Sequence, residues 1–314
     1  MDARIPLWAR GVRRRSAVLV IAICLDLAFG ELPNRCHPVA WLGRGIGAGE
    51  RGMRSLPAPA TGVLLATVFP LGAALVGRRA VLAMRGAPKW TRLVGEALLL
   101  KQTLAARALF EHARAVRERL EAEDLEGARS AAAMMVSRDT ATLSERALAS
   151  AAIESLSENT SDSVIAPLTW YLVGGLPAAA AYRAINTLDA MVGYRSRGWV
   201  GTPSARLDDA ASYIPARLTA GLYALAGGGW STFTGARADH RATPSPNSGW
   251  PMAAAAHALG VRLEKAGHHV LNESGRHPLP GDIAAAERLT WKALGTGAAA
   301  AGVAALIVPD GCSS

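Results

Sequence analysis

The sequence predicts an all-α fold, a polytopic helical membrane protein with a cytoplasmic helical section, and three observations carry that prediction. Half of the 314 residues are hydrophobic while only 5% are aromatic, so the apolar segments are filled largely with small side chains, the composition of helices that pack closely in lipid. Ser55 to Gly77 contains no charged residue, and about 20 apolar residues at ~1.5 Å each cross a hydrocarbon core of ~30 Å. Arg78, Arg79, Arg85, Lys89 and Arg92 follow that run and mark a cytoplasmic exit.

In chain order, residues 1–15 carry five arginines and precede the uncharged Ser16 to Leu25. This resembles the front of a signal peptide, but no small-residue cleavage site is convincing, so the segment predicts an uncleaved first span over 16–29 with a cytoplasmic N-terminus and a polar end at Asp26. Glu31 to Arg54, dense in Gly, Arg and Pro around His37-Pro38, reads as a loop. The clearest span, 55–77, comes next. From Leu93 to about Glu158 apolar residues recur among Lys and Arg at helical spacing, which predicts two or three amphipathic helices broken near Glu123-Asp124 and Ser137. Thr142 with Glu145 forms a capping box, placing Arg138-Asp139 in the turn before a helix, where they either meet phosphate or form a capping network.

Ser163 to Tyr182 is uncharged yet contains Pro167, Gly174, Gly175 and Pro177. A full crossing would leave the polar motifs before and after it on opposite faces of the membrane, so a broken hairpin over 163–182 is favoured. Leu218 to Ala236 is a further candidate span, PSPNSGW at 244–250 a stiff loop, Met252 to Lys265 an amphipathic helix and His268 to Pro280 a loop. A last apolar helix covers 293–309. All of this reads as one integral membrane domain over 1–314.

A net charge of +9 suits anionic lipid or an anionic substrate better than nucleic acid, for which no helix-turn-helix, zinc-ligand or aromatic sheet motif is present. Cys24, Cys36 and Cys312 show no CxxC spacing and read as free thiols. No GxxxxGK[ST], GxGxxG, GxSxG or HExxH occurs, so a nucleotide site would have to be built from helices and loops.

Ser137 to Arg217 concentrates the chemistry. Glu154, Glu158 and Asp162 recur every four residues, stacking three carboxylates on one face of a continuous helix. Arg183, Asn186 and Asp189 share another face, and Arg206, Asp208, Asp209 and Arg217 follow. Such a density beside an uncharged run suggests a site for a metal and phosphates at a membrane surface. The alternative is a charged helix face laced by ion pairs.

RDT at 138–140, AAIESLSEN at 151–159, YRAINTLDAMVGYR at 182–195, ARLDD at 205–209 and IPAR at 214–217, in this order, resemble the CbiB/CobD family of cobalamin biosynthesis, the adenosylcobinamide-phosphate synthases. HPVAWLGRGI at 37–46, HARAVRERL at 112–120 and PSPNSGWPMAAAAHALGVRLEK at 244–265 extend the likeness over most of the chain, and GELP at 30–33 departs from the more usual Gly-Asp-Pro. The resemblance implies an ATP-dependent acid–amine ligase joining a corrinoid, adenosylcobyric acid, to aminopropanol phosphate. It implies ATP and Mg2+ as cofactors, a multi-pass protein in lipid of the cell inner membrane with its active site facing the cytoplasm, and other membrane-bound enzymes of the late pathway as partners. Asp208, Asp209 and Asp162 would be metal ligands; Asp189, Asp208, Asp209, Glu154 and Glu158 catalytic; and Arg138, Asp139, Asn159, Arg183, Asn186, Arg195, Arg206, Arg217, His37 and Asn247 substrate-binding. In layout the family also resembles the AmpE type of membrane protein, which keeps a non-catalytic membrane sensor or transporter as the alternative.

Overall fold

The arginine-led N-terminal run folds into α1 (Leu7–Phe29), and Asp26 lies inside that helix, fully buried. The computed structural model describes residues 7–307. After α1 come α2 (Pro38–Gly52), α3 (Ala58–Ala83), α4 (Lys89–Lys101), α5 (Ala106–Glu121), α6 (Leu125–Ala133) and α7 (Glu145–Thr160). A π-helical turn (Ser161–Ile165) leads into α8 (Ala166–Val192), and a 3-10 turn (Arg195–Val200) leads into α9 (Thr202–Ala211). Then follow α10 (Tyr213–Gly227), α11 (Gly229–Asp239), a 3-10 turn (His240–Ala242), α12 (Gly249–Leu259), a two-stranded hairpin of β1 (Leu263–Lys265) and β2 (His269–Leu271), and α13 (Pro280–Ile307). The fold is therefore mostly helical, with a short sheet that the sequence reading lacked.

The chain forms two compact units, the first from residues 1–105, 166–211 and 298–314, the second from 106–165 and 212–297. In the first, α3 packs on α8, α1 on α4, and α9 on both α3 and α8. Ile46, Leu65, Leu188 and Val192 make one buried cluster, joined by Leu42 and Phe69. Glycine sets the closest approach. A Cβ at Gly62 would stand 2.7 Å from the carbonyls of Trp199 and Val200, so helix α3 meets the 3-10 turn backbone to backbone, as small residues permit. Buried Glu96 of α4 accepts from Arg14 of α1 and from the Tyr171 hydroxyl of α8 at 2.7 Å.

Helix α8 kinks where expected, at Gly175, whose φ of 70° and ψ of −162° only glycine adopts without strain. Pro177 lacks an N–H, and Arg15 donates from Nη1 to the carbonyls of Leu172 and Val173, at 2.7 and 3.1 Å. Among the described residues two helices are long and apolar enough to cross a membrane, Ala58–Ala83 and Glu145–Val192. The predicted span at 16–29 lies within α1 and that at 293–309 within α13, its last residues falling outside those described. The predicted span at 218–236 is two helices rather than one: α10 ends at Gly227, Gly229 takes a φ of 65°, and α11 folds back onto α10.

In the second unit α5 packs on α6 and α7, and α12 packs on α7, α10 and α11. Phe110 of α5 stacks on Trp291 of α13 at 4.5 Å, and the Tyr223 hydroxyl meets Thr290 Oγ1 at 3.0 Å. The predicted breaks near Glu123-Asp124 and Ser137 both occur. Helix α7 is capped by Ser144, which accepts from the Ala147 amide at 3.3 Å, in place of the expected Thr142 box. The predicted helix over Met252 to Lys265 stops at Leu259, because Gly260 takes a left-handed φ of 64°. Gly267 at φ 72° then turns the chain, and β1 pairs with β2 so that Lys265 opposes His269.

Candidate functional site

The second unit forms an open-sided cavity of about 310 Å3. One wall is α7, which presents Glu154, Glu158 and Asn159; the loop before it supplies Arg138, the 243–248 loop supplies Ser245 and Ser248, and the hairpin supplies Lys265 and His269. Ser150 fixes hairpin to helix: its hydroxyl accepts from the Glu264 amide at 2.8 Å and lies 3.3 Å from the Glu264 carbonyl. That clamp carries Lys265 and His269 to the carboxylates one turn along α7.

Glu154 is buried and held from two sides. Its Oε1 lies 3.1 Å from His269 Nε2, and its Oε2 lies 3.5 Å from Arg138 Nη2. A buried carboxylate needs such partners, since desolvation opposes its charge. Arg138 Nη2 and His269 Nδ1 are themselves buried without a hydrogen-bond partner. Glu158 feels the like charge of Glu154, offset by Lys265 and His269. Asn159 Nδ2 donates to the Ser155 carbonyl at 2.9 Å, and the Ser155 hydroxyl donates to Met135 O at 2.9 Å, tying the helix to the loop that carries Arg138.

Of the expected residues, Arg138, Glu154, Glu158 and Asn159 line this space. Asn247 and Arg217 are not among the lining residues: Arg217 Nη1 donates to Asn247 Oδ1 at 3.2 Å, and its guanidinium lies over the Tyr213 ring at 3.4 Å. Asp139 caps its own turn, accepting from the Ala141 amide at 2.9 Å. Asp162 is not among the lining residues. Asp162 is the second residue of the π turn at Ser161–Ile165, which interrupts the regular α-helical repeat directly after α7.

The remaining expected residues belong to the first unit. Asp189 near the end of α8 and Asp209 of α9 are close enough for their charges to oppose one another. Burial raises the Asp209 pKa above the ordinary carboxylate value, and Arg206, 4.0 Å away, partly offsets this. Asp189 Oδ1 is buried without a hydrogen bond, and Asp208 stands beside Asp209 on α9. Gly193 makes room for the Asp189 carboxylate, since a Cβ there would stand 1.8 Å from Oδ1. His37 caps α2, its Nδ1 accepting from the Val39 amide at 3.2 Å. Burial lowers its pKa; Arg183 and Lys101 act in the same sense, Glu31 and Asp26 against it. Asn186 stands one turn before Asp189 on α8, half-buried. Arg195 opens the 3-10 turn, and its side chain lies outside what the structure describes.

Among the described residues no three His, Cys, Asp or Glu side chains converge as a metal site. Asp189 and Asp209 nevertheless fit a magnesium ion arriving with phosphates, because that ion is commonly held by one or two carboxylates and completed by phosphate and water oxygens. Lys265, His268 and His269 are cavity residues that sequence reasoning missed. The available signal was Gly267 between two short runs with alternating apolar residues, Val261-Leu263 and Val270-Leu271, which is a hairpin pattern.

A family model described as CobD/Cbib protein matches residues 19–294 of the chain. A probable cobalamin biosynthesis protein CobD from Methanothermobacter thermautotrophicus is 41% identical, covering 82% of this chain and 86% of its own length. The cobalamin biosynthesis protein CobD of Rhodobacter capsulatus is 40% identical over 86% of this chain and 90% of its own. That of Dehalococcoides mccartyi is 36% identical over 85% and 89%. No solved structure matches the chain.

Proposed function

The chain belongs to the CobD/Cbib family, and on that premise we propose that it is a membrane-bound enzyme of cobalamin biosynthesis. In this reading it joins the propionate carboxylate of adenosylcobyric acid to the amine of aminopropanol phosphate, with ATP, giving adenosylcobinamide phosphate. The names of the relatives support the pathway. The observation that carries the reaction is the cavity in which Glu154 is held between Arg138 and His269 beside Glu158 and Lys265. Carboxylates and cations gathered in one recess can bind a phosphorylated amine and remove its proton.

The carboxylate oxygen of the corrinoid attacks the γ-phosphorus of ATP and ADP departs, leaving an acyl phosphate. The amine, mostly protonated at neutral pH, gives a proton to a carboxylate, for which Glu158 is the proposed base, and its nitrogen attacks the acyl carbon as phosphate leaves. Magnesium, when bound with ATP, neutralises phosphate charge; Asp189 and Asp209 are its proposed ligands in this chain. Arg183 and Arg206 are proposed to meet phosphate oxygens, and the site to face the cytoplasm, where ATP is supplied, in company with other late enzymes of the pathway.

Purified protein in nanodiscs, given ATP, adenosylcobyric acid and aminopropanol phosphate, is expected to release ADP and form the amide, read by mass spectrometry. Both products should require all three substrates. Movement of a corrinoid across the bilayer with no amide formed would replace the ligase by the transporter reading.

A further inference from the structure

We propose that the cavity of the second unit takes the amine substrate by itself, as a small zwitterion with a phosphate at one end and an ammonium at the other. The assignment rests on the ligation reading and names which of its three substrates this space accepts. Size argues first. Ligand pockets run ~300–1,000 Å3 for drug-sized molecules, and a volume of about 310 Å3 stands at the lower edge of that range. A corrinoid is far larger than a drug-sized molecule and cannot be enclosed here.

Bulk counts against the nucleotide. Among the described residues, the only aromatic rings in the lining are those of His268 and His269, the second already engaged by Glu154, and adenine would consume most of the space. A bare anion is also a poor match, because Glu154 and Glu158 both line the cavity and repel it.

Charges of both signs in so small a recess match a ligand that itself carries both. Glu154 is engaged by Arg138 and His269. Glu158 and Lys265 are a further carboxylate and ammonium that line the same space. Lys265 receives the phosphate, and Glu158 receives the ammonium. Glu158 is then placed to take the proton that the nitrogen must lose, R–NH3+ and carboxylate becoming R–NH2 and carboxylic acid.

The test is a titration of the full chain in nanodiscs without ATP or corrinoid, using four probes: 1-aminopropan-2-yl phosphate, propyl phosphate, 1-aminopropan-2-ol and inorganic phosphate. The aminophosphate is expected to bind at least about tenfold more tightly than any of the other three, since each lacks one charged contact. Lys265→Met should weaken both organic phosphates by a similar factor. Glu158→Gln should weaken the aminophosphate but leave propyl phosphate unchanged or tighter. Equal affinity for propyl phosphate and the aminophosphate in the unaltered protein overturns the assignment, as does no binding at millimolar ligand. The comparison among probes needs no variant, so a folding defect cannot mimic the result. Amide formation with an unchanged KM for the amine in both variants would leave the reaction standing and move the amine elsewhere. The predicted binding pattern with no amide formed would keep the occupant and discard the ligase.

Discussion

Glu154 meets an arginine from the loop before its own helix and a histidine from a hairpin more than a hundred residues later, and the two can be removed separately. Arg138→Met leaves a buried carboxylate with one partner where it had two. Removing a partner from a buried ion pair costs ~3–5 kcal/mol, and because His269 remains the expected loss is at the lower end, about 3 kcal/mol, read as a fall in melting temperature. Asp282 offers a second test, through pH. Burial alone would raise its pKa, but the Arg276 hydrogen bonds at 2.6 Å each, the Leu279 amide at 2.8 Å and the Arg276 charge outweigh burial and hold it below the ordinary value. A carboxyl depressed in the folded state contributes stability that is complete above its unfolded pKa, about 3.9, and is lost as pH falls through the folded value. Asp282→Asn should therefore cost about 1–3 kcal/mol at neutral pH and flatten the decline in melting temperature below pH ~4. At this scale the sequence revealed Arg138, Glu154, Glu158 and Asn159, because helical spacing and a preceding turn are local properties. It did not reveal Lys265 and His269, whose positions depend on pairing across Gly267 and on the clamp from Ser150.

Among the elements, the kink of α8 and the fold-back of α10 onto α11 both turn on glycine. Gly175→Ala places a Cβ on backbone at φ 70°, ψ −162°, a region costing ~1–3 kcal/mol for other residues. The variant should be destabilised by that amount, read as a lower melting temperature, while Gly72→Ala in α3, where a Cβ would meet nothing within 4 Å, should be affected less. Since the uncharged run 218–236 folds back at Gly229, reporters fused after Arg217 and after Arg241 are expected to read the same side of the membrane. Opposite readings would restore a full crossing there. The hydrophobic run was visible in the sequence, as was the break within 163–182. The π turn was not, since no single residue announces it.

At the scale of the whole molecule, composition made the helical class legible, because half-hydrophobic, glycine-rich segments of span length admit few other folds. The division into two interleaved units was not legible, since none of its four boundaries coincides with a repeat or a change of composition. Interleaving reaches into how the protein is made. Glu154 and His269 are 115 residues apart, and synthesis at ~5–20 residues per second separates their emergence by roughly 6 to 23 s. For that interval α7 carries a carboxylate that the finished protein buries, with its hairpin partner still unmade. A ribosome stalled before Lys265 thus holds a nascent chain in which every sequence motif of the acidic helix is present and the cavity does not yet exist.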